Sequence, residues 1–280
     1  MESPEQILRQ RFLEEVSRDE AEISVARAAL MVAREEYPQL SEERYLGYLD
    51  LLAEETRDRL DDETAHLVVL QELLGSLYRR HGFRGNREAY YDPRNSFLND
   101  VLDRKLGIPL TLGIVVLEVG WRLGLPLEGV SFPGHFLVRF RGDAMDLLID
   151  PYEGGAVRFE DEAQELLDRV YGGMVQVQDS FLRASTKRDM LVRLLVNLKG
   201  IYLNVRDHER ALAAVERILL IKPIAAGEIR DKGVILARMG RKEEALEQLE
   251  AYLSVAPEAQ DSQRILGLLK DLRDGSGTIE

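Results

Sequence analysis

The run Gly134-His135-Phe136-Leu137-Val138-Arg139-Phe140-Arg141, followed by Ala144-Met145-Asp146-Leu147-Leu148-Ile149-Asp150, decides the fold of the middle of this chain. Both segments alternate with the two-residue period of a strand, and Gly142-Asp143 between them reads as a two-residue hairpin loop with glycine first. A register symmetric about that loop sets 141 against 144, 139 against 146, 137 against 148 and 135 against 150. One face then carries Phe136, Val138, Phe140, Met145, Leu147 and Ile149, which is a core face. The other sets Arg139 against Asp146, Leu137 against Leu148, and His135 against Asp150. Directly opposed residues have Cβ atoms about 4.5–5.5 Å apart. A carboxylate at that distance orients an imidazole by accepting its N–H, as in a catalytic triad. The third member of such a triad is a nucleophile, usually Cys or Ser.

Working outward, the 280-residue chain contains no cysteine. That removes disulfides, thiolate metal sites and a thiol nucleophile together. A hydrophobic content of 45% rules out wholesale disorder, and the length suits two structural units. The net charge of −13 argues against a nucleic-acid or anionic-membrane binder, because phosphate attraction needs a basic surface. The opening Met1-Glu2-Ser3-Pro4-Glu5-Gln6 is polar and acidic, unlike a secretory signal. Apolar runs such as 114–117 are too short to span a bilayer. These features point to a cytoplasmic protein with neither a nucleic-acid nor a membrane partner. His66, His81, His135 and His208 form no H-x-x-x-H pair, and no phosphate-cradling or Rossmann glycine pattern occurs. No metal and no cofactor is therefore expected.

Apolar periodicity predicts helices over 4–17, 19–35, 41–59 and 62–80, an N-terminal helical layer spanning 1–80. From 81 to 99 glycine, proline and asparagine mark a loop, and a short helix follows over 96–105, with Ser96 as its cap. Gly107-Ile108-Pro109 then opens an apolar, buried helix over 109–123. Strands are predicted over 127–132, 135–141 and 144–149, a helix over 160–172 and a short strand over 175–177. The region 81–182 is thus α+β. The last third repeats itself: Ala211 and Pro223 recur 34 residues later as Ala245 and Pro257, the tetratricopeptide period. Helices over 187–205, 208–221, 225–239, 242–254 and 260–273 make 187–273 two repeats plus a capping helix, with 274–280 a flexible tail.

Four ordered motifs carry a resemblance. They are Asn95-Ser96-Phe97-Leu98-Asn99, Gly107-Ile108-Pro109-Leu110-Thr111-Leu112, Phe132-Pro133-Gly134-His135-Phe136-Leu137-Val138 and Asp150-Pro151-Tyr152-Glu153-Gly154-Gly155. Their combination closely resembles the bacterial SirB-type family, transglutaminase-like proteins with C-terminal tetratricopeptide repeats. The resemblance covers nearly the whole chain and implies a transglutaminase-like (papain-like) core. In that superfamily a Cys at the start of a buried helix attacks an acyl group, a His on a following strand is the base, and an Asp or Asn on the next strand orients it. The resemblance therefore implies His135 as base and Asp150 as orienter, and it puts the nucleophile position at or near Pro109. Proline has nothing to attack with.

Hydroxyl groups lie near the same segment. Thr111 lies two residues past Pro109, about 200° around the helix, and reads as a helix cap. Ser96 and Ser131 sit in no nucleophile elbow. Arg94, Asn95, Thr111 and Tyr152 are candidate binding residues at the border of the cleft, and Asn197, Lys199, Lys232 and Arg238 are repeat residues able to line a groove for an acidic peptide. The expected function is a pseudoenzyme's: a non-catalytic interaction or regulatory protein that binds a protein or peptide partner by the repeat face, the degenerate cleft or both. The alternative is a hydrolase or amide-processing enzyme, with His135 as general base, oriented by Asp150, acting on water or a non-cysteine nucleophile.

Overall fold

The computed structural model describes residues 3–61, 64–142 and 146–274. It divides into two compact units, Met1–Leu194 and Leu195–Glu280.

In the first unit, α1 (Pro4–Ser17), α2 (Val25–Ala33), α3 (Glu42–Arg57) and α4 (His66–Leu74) form the N-terminal layer. Ser3, Ser24 and Ser41 cap the first three by accepting from the backbone N–H three residues on. The helix expected from 19 starts only at Val25, because Ser24 is the cap. α4 runs directly into a wider π-type turn over Gly75–Arg80. Next come β1 (Arg84–Gly85), α5 (Leu98–Arg104) and β2 (Leu106–Gly107); β1 and β2 pair in parallel. Phe97, not Ser96, occupies the N-cap of α5, and Ser96 instead ends a 3₁₀ turn over Pro93–Asn95.

α6 (Pro109–Arg122) is buried at every position from Pro109 to Gly120. Pro109 suits the first helical position, where a backbone N–H would have no helical acceptor. Packed against α6 is a five-stranded antiparallel sheet of β3 (Leu127–Val130), β4 (Leu137–Arg141), β5 (Asp146–Asp150), β6 (Ala156–Arg158) and β7 (Ala184–Ser185), ordered β6-β5-β4-β3-β7. Phe136 joins helix to sheet. Its fully buried ring fills a slot where a Cβ on Gly113 of α6 would lie 2.5 Å away and one on Gly129 of β3 would lie 2.7 Å away.

The hairpin register differs from the symmetric expectation. Arg141 opposes Asp146, Arg139 opposes Leu148 and Val138 opposes Ile149, so four residues, 142–145, connect the strands instead of two. A shift of two residues leaves every side chain on its own face, so the alternation could not detect it. Arg141 pairs ionically with Asp146 and, at 3.1 Å, with Glu128. The expected loop residue Asp143, and the placement of Met145 on the core face, lie outside the described residues. The face holding Leu137 and Leu148 is covered too, by Leu166 and Leu167 of α7 (Ala163–Tyr171) together with Val130 and Phe132. The segment 175–177 is not a strand. Gln164 stands in for a neighbouring strand, donating from Nε2 to Val175 O at 2.9 Å and accepting from Val177 N–H at 2.9 Å. The sheet edge beside β3 is taken by β7 instead.

α8 (Lys187–Asn204) contains the division between the units, so 187–194 belong with the first. The second unit continues with α9 (His208–Ile221), α10 (Ala226–Arg238), α11 (Lys242–Val255) and α12 (Ser262–Asp274). Ala211 and Ala245, the repeat-related alanines, are fully buried. A Cβ on Gly233 would lie 2.7 Å from the Leu249 side chain, so α10 and α11 approach closely there. Lys199 is buried and bonds Glu228 and Asp231 at 2.8 Å, while Lys232 pairs with Glu216 at 3.3 Å. These two cations are occupied within the unit. The tail expected from 274 lies, beyond Asp274, outside the described residues.

Filling the Phe136 slot tests the central contact. Gly113→Ala should destabilise the first unit by about 1–3 kcal/mol in urea unfolding, the usual cost of overpacking a buried core. A cost under about 0.5 kcal/mol would mean that the ring has room to move.

Candidate functional site

Two turns deliver the two polar residues of the site. Phe132-Pro133-Gly134-His135 has proline second and glycine third, the pattern of a type II turn. Gly134 has φ +68°, and His135 N–H donates to Phe132 O at 3.0 Å. His135 therefore lies in the turn two residues before β4, not on the strand itself. Asp150 ends β5 and organises the next turn: its Oδ1 accepts from the N–H groups of Tyr152 at 3.0 Å and Glu153 at 3.1 Å. Gly154 and Gly155 follow with φ of +69° and +75°.

Oδ1 of Asp150 also faces the imidazole, with His135 Nε2 at 2.8 Å. The pair meets along a diagonal of the offset register, on the face expected for it. Asp150 is 1% exposed and His135 15% exposed. With Nε2–H donating to the carboxylate, Nδ1 of a neutral ring is the acceptor nitrogen. No described residue bonds it.

The surrounding groups are aromatic and cationic. The rings of His135 and Tyr152 meet edge to face at 6.2 Å, Tyr152 and Tyr90 at 6.1 Å, and Tyr90 and Tyr91 at 5.3 Å. Tyr152 donates to Asn86 O at 3.0 Å, and burial raises the phenols of Tyr90 and Tyr152 above the ordinary tyrosine value. Tyr78, on the π-type turn, has a buried hydroxyl with no hydrogen-bond partner among the described residues. Burial first, and then the charge of Asp150, hold its pKa well above normal. Arg193 of α8 donates to His135 O at 2.6 Å and to Phe132 O at 3.4 Å, clamping both ends of the histidine turn. Burial lowers its guanidinium below the usual arginine value. No sequence signal marks Arg193, because it acts on backbone oxygens 58 and 61 residues away.

The first half of α6 packs beside the two turns. A Cβ on Gly113 would touch Phe136 and, at 3.5 Å, Pro151, the residues adjoining His135 and Asp150. Pro109 lies four residues earlier on the same stripe of α6, one turn nearer the N-terminus. Thr111 is 1% exposed; its hydroxyl donates to Asn95 O at 2.6 Å and accepts from Ile108 N–H at 3.2 Å. Asn95 is fully buried: its amide donates to Ala89 O and Tyr90 O and accepts from Asn86. Arg94 forks onto Asp92, with contacts down to 2.7 Å. Of the four candidate binding residues, Tyr152 alone makes ring contact with His135. Ser131 and Ser185 bond each other at 2.8 Å, and the Ser96 hydroxyl is buried without a partner among the described residues. No cluster of three metal-ligating side chains is found among the described residues.

Asp150 holds two backbone N–H groups as well as the imidazole, so removing it leaves more behind than removing the ring. Asp150→Ala should cost about 2–4 kcal/mol and His135→Ala less than about 1.5 kcal/mol, because unmet buried donors are the larger penalty. Urea denaturation of both variants checks this, and equal costs would show that the turn does not depend on the carboxylate.

Comparison with known proteins places the chain in a family. A transglutaminase-like superfamily model matches residues 43–196, and a tetratricopeptide repeat model matches residues 198–270. A UPF0162 protein of Xylella fastidiosa is 35% identical over 257 residues, covering 91% of this chain and 92% of its own length. One from Vibrio cholerae is 30% identical over 197 residues, 70% of this chain and 72% of its own. Protein SirB1 of Salmonella typhimurium is 28% identical over 197 residues, 70% of this chain and 73% of its own. No solved structure matches the chain significantly. With the two model matches and these relatives in agreement, the chain belongs to the UPF0162/SirB family, a transglutaminase-like domain followed by tetratricopeptide repeats.

Proposed function

We propose that this protein is a non-catalytic recognition protein, binding a protein or peptide partner through its repeat unit, its degenerate cleft or both. One observation carries this reading: Pro109 stands at the first position of α6, one turn before Gly113, where a Cβ would meet Phe136 and Pro151, the sequence neighbours of His135 and Asp150. Acyl transfer on this scaffold starts with attack by a heteroatom at that place. Proline offers only carbon, and the nearby Thr111 hydroxyl is committed to Asn95 O. Tetratricopeptide repeats supply surface for recognition without chemistry of their own, which fits the same reading.

The preserved His135–Asp150 contact favours a second reading, in which the imidazole acts as general base on water. Incubation of the full chain with peptide, ester and amide substrates separates the two. The recognition reading expects no turnover above buffer, with or without His135→Ala; turnover that His135→Ala abolishes would replace it with the hydrolytic one. Pro109→Cys tests the geometry directly. Its thiol, at a helix N-terminus, should be alkylated by iodoacetamide at pH 6 several-fold faster than the thiol of Pro109→Cys combined with His135→Ala if the imidazole reaches it. Equal rates would mean that position 109 is out of reach of the imidazole.

A further inference from the structure

Away from the cleft, Lys105 is held in an unusual way. It closes α5 in the left-handed conformation, φ 60° and ψ 22°, where glycine is the residue without steric penalty. Its ammonium donates to Tyr48 Oη at 2.6 Å and to Leu102 O. It also lies 4.2 Å from the centre of the Tyr48 ring and 4.8 Å from that of Phe83. Among the described residues no carboxylate is within ion-pair distance of it. Asp103, two residues away, is engaged elsewhere: Tyr45 Oη donates to it at 2.7 Å and Arg44 pairs with it at 3.8 Å. Burial lowers the Lys105 amine below the ordinary lysine value, against the opposing pull of Asp103. Two of the three ammonium N–H groups are thus spent on neutral oxygens, and a half-buried positive charge is left without a counter-charge of its own.

Beside this ammonium opens a cavity of about 460 Å³, lined by Arg44, Tyr45, Tyr48, Leu51, Leu102 and Lys105. That volume lies in the range of small-molecule sites, about 300–1,000 Å³. Gly47 keeps the wall open, since a Cβ there would meet nothing within 4 Å. Leu51 is left 45% exposed on the same wall. Both phenols stay protonated at neutral pH: burial raises Tyr48 above normal, and burial with the Asp103 hydrogen bond pushes Tyr45 up to about 12.

We propose that this cavity binds a small organic monoanion, a carboxylate on an aromatic or aliphatic body, whose head meets the remaining N–H of Lys105 and whose body lies on Tyr48 and Leu51. Charge decides the class. Among the lining side chains, Lys105 and Arg44 bring two positive charges and Asp103 one negative, a single net charge that a carboxylate balances and a polyphosphate does not. The apolar wall decides the body, since an inorganic anion would leave Leu51 and the Tyr48 ring uncovered. The site does not depend on the reading of the His135 cleft.

Calorimetric titration of the full chain with benzoate and octanoate, against benzamide and octanamide, tests the proposal. At least one acid should bind in the millimolar range or tighter, with its amide weaker by about tenfold or more and the same loss for the acid in Lys105→Met. A thermal melt of Lys105→Gly, which relieves the left-handed position, should show an unfolding temperature at or above the parent's while acid binding is lost. The proposal is overturned if neither acid binds at millimolar concentration, if acid and amide bind alike, if Lys105→Met binds as the parent does, or if Lys105→Gly melts well below the parent, which would make the lysine a structural plug.

Discussion

The ring of Phe136 between Gly113 and Gly129 is the contact on which the first unit turns. An aromatic ring this well buried contributes a large apolar area and tolerates little displacement. It admits no side chain at either glycine, so α6 and β3 must approach it with bare backbone. That fixes the depth of the helix against the sheet. Because Phe136 adjoins His135, and Pro151 beside Gly113 adjoins Asp150, the same packing sets where the polar pair stands relative to the start of α6. Site geometry here is a consequence of core packing.

Around that contact the site is built from turns, not from strand interiors. Proline and glycine shape the turn before β4, and Asp150 shapes the turn after β5 with the oxygen that also meets the imidazole. Arg193 then fixes both ends of the histidine turn through backbone carbonyls. The carboxylate serves architecture and imidazole at once. The site's polar groups are held by several bonds each, and its aromatic rings run from His135 through Tyr152 and Tyr90 to the 76% exposed Tyr91.

The repeat unit follows a different logic. Its alanines and Gly233 allow close helix packing, and its buried Lys199 is matched by Glu228 and Asp231. Charged residues that looked available in the sequence are thereby taken up in holding helices together. Lys105 in the first unit shows the opposite case, a cation placed on aromatic faces and carbonyl oxygen without an acid among the described residues.

By itself the sequence determined the α+β class, the helical layer and repeats, and the face of the sheet on which His135 and Asp150 meet. Those properties follow from local periodicity: a spacing of two for strands, three to four for helices and 34 for the repeat. It also determined that no thiol could stand at the start of α6. Only the tertiary structure decided the hairpin register, because a two-residue slip preserves every alternation, and what selected it includes the Arg141–Asp146 pairing across the strands. Only the tertiary structure could expose Gln164 in the role of a strand, the clamp by Arg193 and the seat of Lys105 on the Tyr48 and Phe83 rings. Each is an interaction between a side chain and distant backbone or ring atoms, and those atoms leave no periodic trace in the order of residues.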